Sequence, residues 1–194
     1  MMEDKKLLRE GAKLGVSLGI LMIVLTILPM YYYASSSSFW MVIIGPMITG
    51  FLIPLIISVI FTFNLRKRIG GFWTFRQAVS GIFAMFLVAV VLSSIAGFVY
   101  EKYVAPDMRE HYMRNIENNT ITYLENAGVD AEQIDAQVEK IDQEIEKAGD
   151  AGIVDTFRGL LISVLVVFVI ALIFGALFKK EKPIFNVIDS DPTV

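Results

Sequence analysis

The sequence predicts an all-α integral membrane protein with four transmembrane helices and an extracytoplasmic helical hairpin between the third and the fourth. Three observations carry that expectation: four long apolar runs, basic residues gathered into three clusters, and acidic residues concentrated in a single connection. The composition agrees, since 55% of the 194 residues are hydrophobic and only 19% are charged, with a mean hydropathy of +0.61. Those values lie outside the usual range of soluble globular domains.

A bilayer core takes about 20 predominantly apolar residues to cross as a helix. Runs of that size occur at 14–33, 39–63, 77–100 and 159–178. None of them alternates apolar with polar residues, as barrel strands would, and in hydrocarbon a helix satisfies its own backbone. The first run is followed by Tyr31, Tyr32, Tyr33 and four serines rather than by a small-residue cleavage site. It therefore reads as a retained span and not as a signal peptide.

The net charge of −3 conceals a strong asymmetry, because residues 101–153 hold 13 acidic and 5 basic side chains and the remainder holds 7 and 12. Lys5, Lys6, Arg9 and Lys13 precede the first run. Arg66, Lys67, Arg68 and Arg76 separate the second and third, and Lys179, Lys180 and Lys182 follow the fourth. Basic loops stay in the cytoplasm, so these clusters place both termini and the second loop inside, with the acidic connection outside. Arg158 alone sits at the outer end of a span, with Asp155 nearby to offset it. The chain then divides into 1–104, three spans with their basic loop; 105–153, the acidic helical connection; and 154–194, the last span and tail. The chain has no cysteine, which excludes disulfides and thiolate metal sites.

Within the first span Gly11, Gly15 and Gly19 recur every four residues and form one flat stripe. Such stripes let two helices approach closely, either inside one chain or as a homodimer seam. Ala89, Ser93 and Gly97 in the third run and Ala171 and Gly175 in the fourth are comparable. Gly45, Pro46 and Pro54 interrupt the second run, where proline removes a backbone donor and kinks the helix; a kink there serves architecture or gating. In the stretch GGFWTFRQA, at 70–78, the glycines break the chain and Thr74 with Gln77 forms a capping box that starts the third helix. Phe72 and Trp73 read as interfacial anchors.

The acidic connection carries two helical patterns. Met108, Tyr112, Ile116, Tyr123 and Leu124 recur at roughly helical spacing, with Gly128 as the stop. Ile134, Val138, Ile141 and Ile145 then repeat at intervals of four, three and four, a short heptad seam. About two heptads do not stand alone in water, so the seam needs a covering surface, supplied by the preceding helix or by a second protein.

Groups for chemistry are sparse. His111 is the single histidine and lies among charged residues, where a solvated role is expected. The acids of the second loop helix read as a solvated face without calcium-loop geometry. No Asp, Glu, Lys, Arg or His falls within the four runs, whereas coupled transporters usually carry one there. Asn118, Asn119 and Thr120 match a glycosylation sequon, which matters only in a eukaryotic secretory pathway. No catalytic residue, cofactor or metal site is expected, and no nucleic-acid patch.

The order RKRIGGFWTFRQA at 66–78, an apolar helix to Tyr100, EKYVAPD at 101–107, an acidic helical connection, a final helix and FKKEKP at 178–183 resembles domain of unknown function 4199. That family consists of small bacterial inner-membrane proteins. The resemblance implies a topology and a bacterial inner membrane, and brings no catalytic residues. The expectation is a non-enzymatic protein presenting its acidic hairpin to a protein partner or the envelope. The alternative is a small transporter or channel-forming subunit acting as an oligomer. Beyond the lipid bilayer, the partners to look for are another protein or a second copy of the chain.

Overall fold

The computed structural model describes residues 2–149 and 153–182, and among these it contains helices, loops and a single isolated β-bridge. Helix α1 covers Met2–Ala34. The second span is built from α2 (Phe39–Met47), a π-helical turn (Ile48–Leu52) and α3 (Ile53–Arg68). Helix α4 (Phe75–Val99) runs on into a second π-helical turn (Tyr100–Val104). Helices α5 (Met108–Asn126) and α6 (Ala131–Gly149) form the hairpin, and α7 (Ile153–Phe178) is the last span. Four of these helical stretches are long and apolar enough to cross a membrane: Lys5–Ala34, Phe39–Arg68, Phe75–Val104 and Phe157–Phe178.

Helix α4 is the spine. Its residues Ala78, Ile82, Met85 and Ala89 are buried, with α1 packed along one side and α7 along another. The glycine stripe of α1 faces α4: a Cβ on Gly11 would lie 2.7 Å from the Gly81 carbonyl oxygen, and one on Gly19 would lie 3.1 Å from that of Ala89. A Cβ on Gly15 would collide with the carbonyl of Met85. Side chains are thus excluded from three successive turns, and the two backbones meet directly. Ser93 crosses the same seam and donates its hydroxyl to the Gly19 carbonyl at 3.3 Å. On the other flank Ala171 is buried and Gly175 sits against Val79. The second span packs mainly on α1 and leaves most of its surface outward, including Met47, Phe51, Ile56 and Ile60. In an apolar span such faces belong to lipid.

Between Pro46 and Pro54 the second span widens into its π-helical turn. A proline ring clashes with the carbonyl four residues earlier, and a wider turn is one way to relieve that clash. Gly45 has a different role from a kink: a Cβ there would meet the Tyr33 ring at 2.5 Å, so the glycine is the seat for that ring. Tyr33 then shares a 3.2 Å hydrogen bond with Thr49 at the start of the widened turn. Other hydroxyls in the spans, those of Thr26, Thr62 and Ser163, donate to carbonyls of their own preceding turn.

Both tight turns end their helices with left-handed glycines. Gly70 has φ +106° and Gly128 has φ +72°, and the bonds Gly71 N to Arg66 O (2.9 Å) and Val129 N to Leu124 O (3.1 Å) close two Schellman motifs. Beyond the first turn the Thr74–Gln77 capping box opens α4. Trp73 departs from the belt position expected of it. It is 2% exposed, its indole N–H donates to the Phe178 carbonyl at 2.8 Å, and its backbone pairs with Lys180. Arg66 donates to the same Phe178 carbonyl at 3.4 Å. The last carbonyls of a helix lack intrahelical donors and carry partial negative charge, which explains why an indole and a guanidinium converge there.

Gly15→Ala is expected to destabilise the protein by about 1–3 kcal/mol, the usual range for forcing atoms into a filled interface. Gly97→Ala, where an added Cβ meets no atom within 4 Å, should leave the melting temperature in detergent unchanged.

Candidate functional site at the root of the hairpin

The end of the bundle away from the basic clusters is where the apolar spans give way to the polar helices α5 and α6 and where polar side chains become organised. Helix α5 turns a stripe of amides and hydroxyls, Asn115, Asn118, Asn119, Thr122 and Asn126, toward the short loop between α1 and α2. The spacing of three, four, seven and eleven residues keeps them on one face of the helix. Asn115 donates its amide to the carbonyls of Tyr33 (2.7 Å) and Ser36 (2.8 Å). Asn119, 9% exposed, donates to Ser36 (3.2 Å) and to the Asn115 carbonyl (2.8 Å). The Tyr33 and Ser36 carbonyls belong to the end of α1 and the loop after it, where intrahelical donors have run out. Two asparagines therefore fasten the hairpin onto the first two spans.

Aromatic rings close the same junction. Phe39 at the start of α2 stacks on Tyr123 of α5, with centroids 4.0 Å apart and planes 4° from parallel. Trp40 meets Tyr123 edge-on at 5.8 Å. Tyr112 lies near Tyr33, and its burial, reinforced by that neighbour, pushes its hydroxyl pKa above the ordinary value. Phe39, Trp40 and Tyr123 border, with the amide stripe of α5, a groove of about 540 Å³.

The four seam residues Ile134, Val138, Ile141 and Ile145 are all half-buried, and α6 packs on α5. Arg114 of α5 pairs across the hairpin with Asp142 of α6 and along its own helix with Glu117 at 2.9 Å. Among the described residues no other element makes more than slight contact with α6. The exposed face of α6 carries Glu132, Asp135, Glu139, Asp142, Glu144 and Glu146. His111 is exposed, and among the described residues no three His, Cys, Asp or Glu side chains gather in a way that could hold a metal ion.

The opposite end shows a second cavity, of about 420 Å³, beside Trp73, Thr74 and Gln77, with Lys6, Lys182 and Glu181 at its edge. Nearby, Glu10 bridges Lys13 and Arg68, both at 3.3 Å, which ties α1 to the end of α3. The charges at the edge of this cavity are mixed, and its Trp73, Thr74 and Gln77 side chains are engaged at helix ends. Sequence reading passed over Asn115 and met Asn119 only as part of a glycosylation sequon, because an asparagine on a polar helix carries no packing signal without knowledge of the loop it faces.

Four long apolar helices, the last two separated by the α5–α6 hairpin, define a multi-pass α-helical membrane protein in contact with the lipid bilayer. The chain belongs to the family described as Protein of unknown function (DUF4199), whose family model matches residues 13–180. No curated protein and no solved structure matches it.

Replacing Asn119 by Leu removes the amide while keeping similar bulk, takes away the second donor to the Ser36 carbonyl and the side-chain donor to the Asn115 carbonyl, and leaves Asn115 as the remaining clamp. The expected result is a loss of about 1–3 kcal/mol, together with faster amide hydrogen exchange in α5 and α6 while α1 and α4 keep their protection.

Proposed function

We propose that this is a non-enzymatic protein of a bacterial inner (cytoplasmic) membrane, with both termini in the cytoplasm, that presents its acidic helical hairpin outside the membrane to a protein partner or the envelope. One observation carries the reading: α6 rests on α5 and hardly on the spans, while α5 is fastened to them by Asn115 and Asn119. The hairpin is thereby held in place while the acidic face of α6 stays open to solvent. A fixed display of one sign of charge favours partners of the opposite sign and steers their approach. The three basic clusters support the orientation through the positive-inside rule. The scarcity of convergent titratable groups supports the absence of catalysis.

The chain has no cysteine, so single cysteines report topology without background. Ala136→Cys should react with a membrane-impermeant maleimide in intact spheroplasts, and Lys67→Cys only after permeabilisation; the reverse pattern overturns the orientation. Photoreactive residues at Glu139 or Gln143 should crosslink to a second protein, whereas at Val138 and Ile141 they should crosslink to α5. Crosslinks confined to α5 from all four positions would count against a partner on the acidic face.

One feature favours the alternative, a small transporter or channel-forming subunit acting as an oligomer. The π-helical turn between Pro46 and Pro54 gives the second span an irregular stretch inside its apolar run, of the kind transporters use at binding sites. Solute flux in proteoliposomes above that of empty vesicles, and lost in Thr49→Val, is the result this reading requires.

A further inference from the structure

The groove between α5 and the start of α2 has a chemistry that neither the hairpin clamp nor the acidic face uses. Asn115 and Asn119 form its floor, and their amide hydrogens are spent on the α1–α2 junction. Asn118 and Asn126 are exposed, and neither side chain bonds to another described residue. Between them Thr122 donates its hydroxyl to the Asn118 carbonyl at 2.9 Å, which leaves its oxygen free to accept. Asn118, Thr122 and Asn126 follow one another at intervals of four, so they form a ladder about 12 Å long on the edge of α5. Beside the ladder stand Tyr123, 38% exposed, and Trp40, 58% exposed.

Among the described residues no charged side chain lines this groove, in a hairpin that is otherwise densely charged. The groove offers an anion or a cation no opposite charge to repay even partial loss of hydration, so neither is favoured there. A small apolar ligand would bury the free amides without partners. What remains is an uncharged ligand that offers many hydroxyls along an edge and an apolar ring face. Planar amides, each donating and accepting, match adjacent hydroxyls, and an exposed aromatic ring matches the C–H face of a sugar. A ladder of this length spans two rings laid end to end. We propose that the groove binds an uncharged, polyhydroxylated ring, that is, a neutral saccharide unit, presented either by a glycan strand or by the headgroup of a glycolipid.

The inference goes beyond the partner reading, since it uses a different face of the hairpin and is testable on purified protein whichever way the chain lies in the membrane. The chain has two tryptophans, of which Trp73 is buried away from the groove and Trp40 lines it. Intrinsic fluorescence therefore reads the site. The full-length protein in detergent is titrated with the disaccharide of N-acetylglucosamine and with maltose, and in a second arm it is reconstituted in phosphatidylcholine vesicles with or without a monoglucosyl diacylglycerol. A saturable change in Trp40 emission is expected, absent in Trp40→Phe and weakened about tenfold in the Asn118→Ala/Asn126→Ala double variant, a loss in line with removing several neutral hydrogen bonds. Both replaced amides are exposed and unbonded, so the variant should melt at the wild-type temperature. Saturation by a free disaccharide points to a glycan strand, and saturation with the glycolipid alone points to a headgroup. No saturable change in either arm, or a change of equal strength in the double variant, overturns the proposal.

Discussion

The structure depends on the direct contact between the backbones of α1 and α4. In hydrocarbon the hydrophobic effect does not drive two apolar helices together, so close van der Waals contact and interhelical hydrogen bonds must hold them. Gly11, Gly15 and Gly19 bring α1 so near that a single methyl group would collide with carbonyls of α4. Once α1 is seated, Ser93 reaches the Gly19 carbonyl and the opposite side of α4 is left for Ala171 and Gly175 of α7. The second span, by contrast, has few small residues aimed at a neighbour, and it lies at the periphery with most of its surface outward.

Each end of this spine is finished by a different chemistry. At the basic end the helix termini are joined by donors aimed at exposed carbonyls: the indole of Trp73, the guanidinium of Arg66 and the paired backbones of Trp73 and Lys180. At the other end asparagines do the equivalent work. Asn115 and Asn119 bind the carbonyls where α1 gives out, and Tyr33, seated on Gly45, links that junction to the π-helical turn of the second span. The seating of the hairpin and the geometry of the second span therefore share one set of contacts.

Much of the fold was legible because its signals are local. Apolar length marks the spans, glycines at Gly70 and Gly128 end helices where φ is positive, and Thr74 with Gln77 writes its own capping box. The candidate site was legible only in part. The acidic face and the isoleucine seam follow from period and charge, but the clamp does not, because Asn115 has meaning only when Tyr33, 82 residues earlier, presents its carbonyl. Trp73 was misplaced for the same reason: an aromatic beside a basic turn looks interfacial until the end of α7, 105 residues later, arrives to accept its proton.

By itself the sequence determined the class of protein, the number of spans and the sign of charge on each connection, since hydropathy and charge act through the bilayer and need no partner residue. It also determined that the α1 stripe would pack tightly, without naming the helix that fills it. The tertiary structure decided that α4 is that helix, that Gly45 seats a ring, and that an uncharged groove opens at the root of a charged hairpin. Each of these is a contact between residues far apart in the chain, and chain proximity carries no information about which distant carbonyl or ring will be brought within reach.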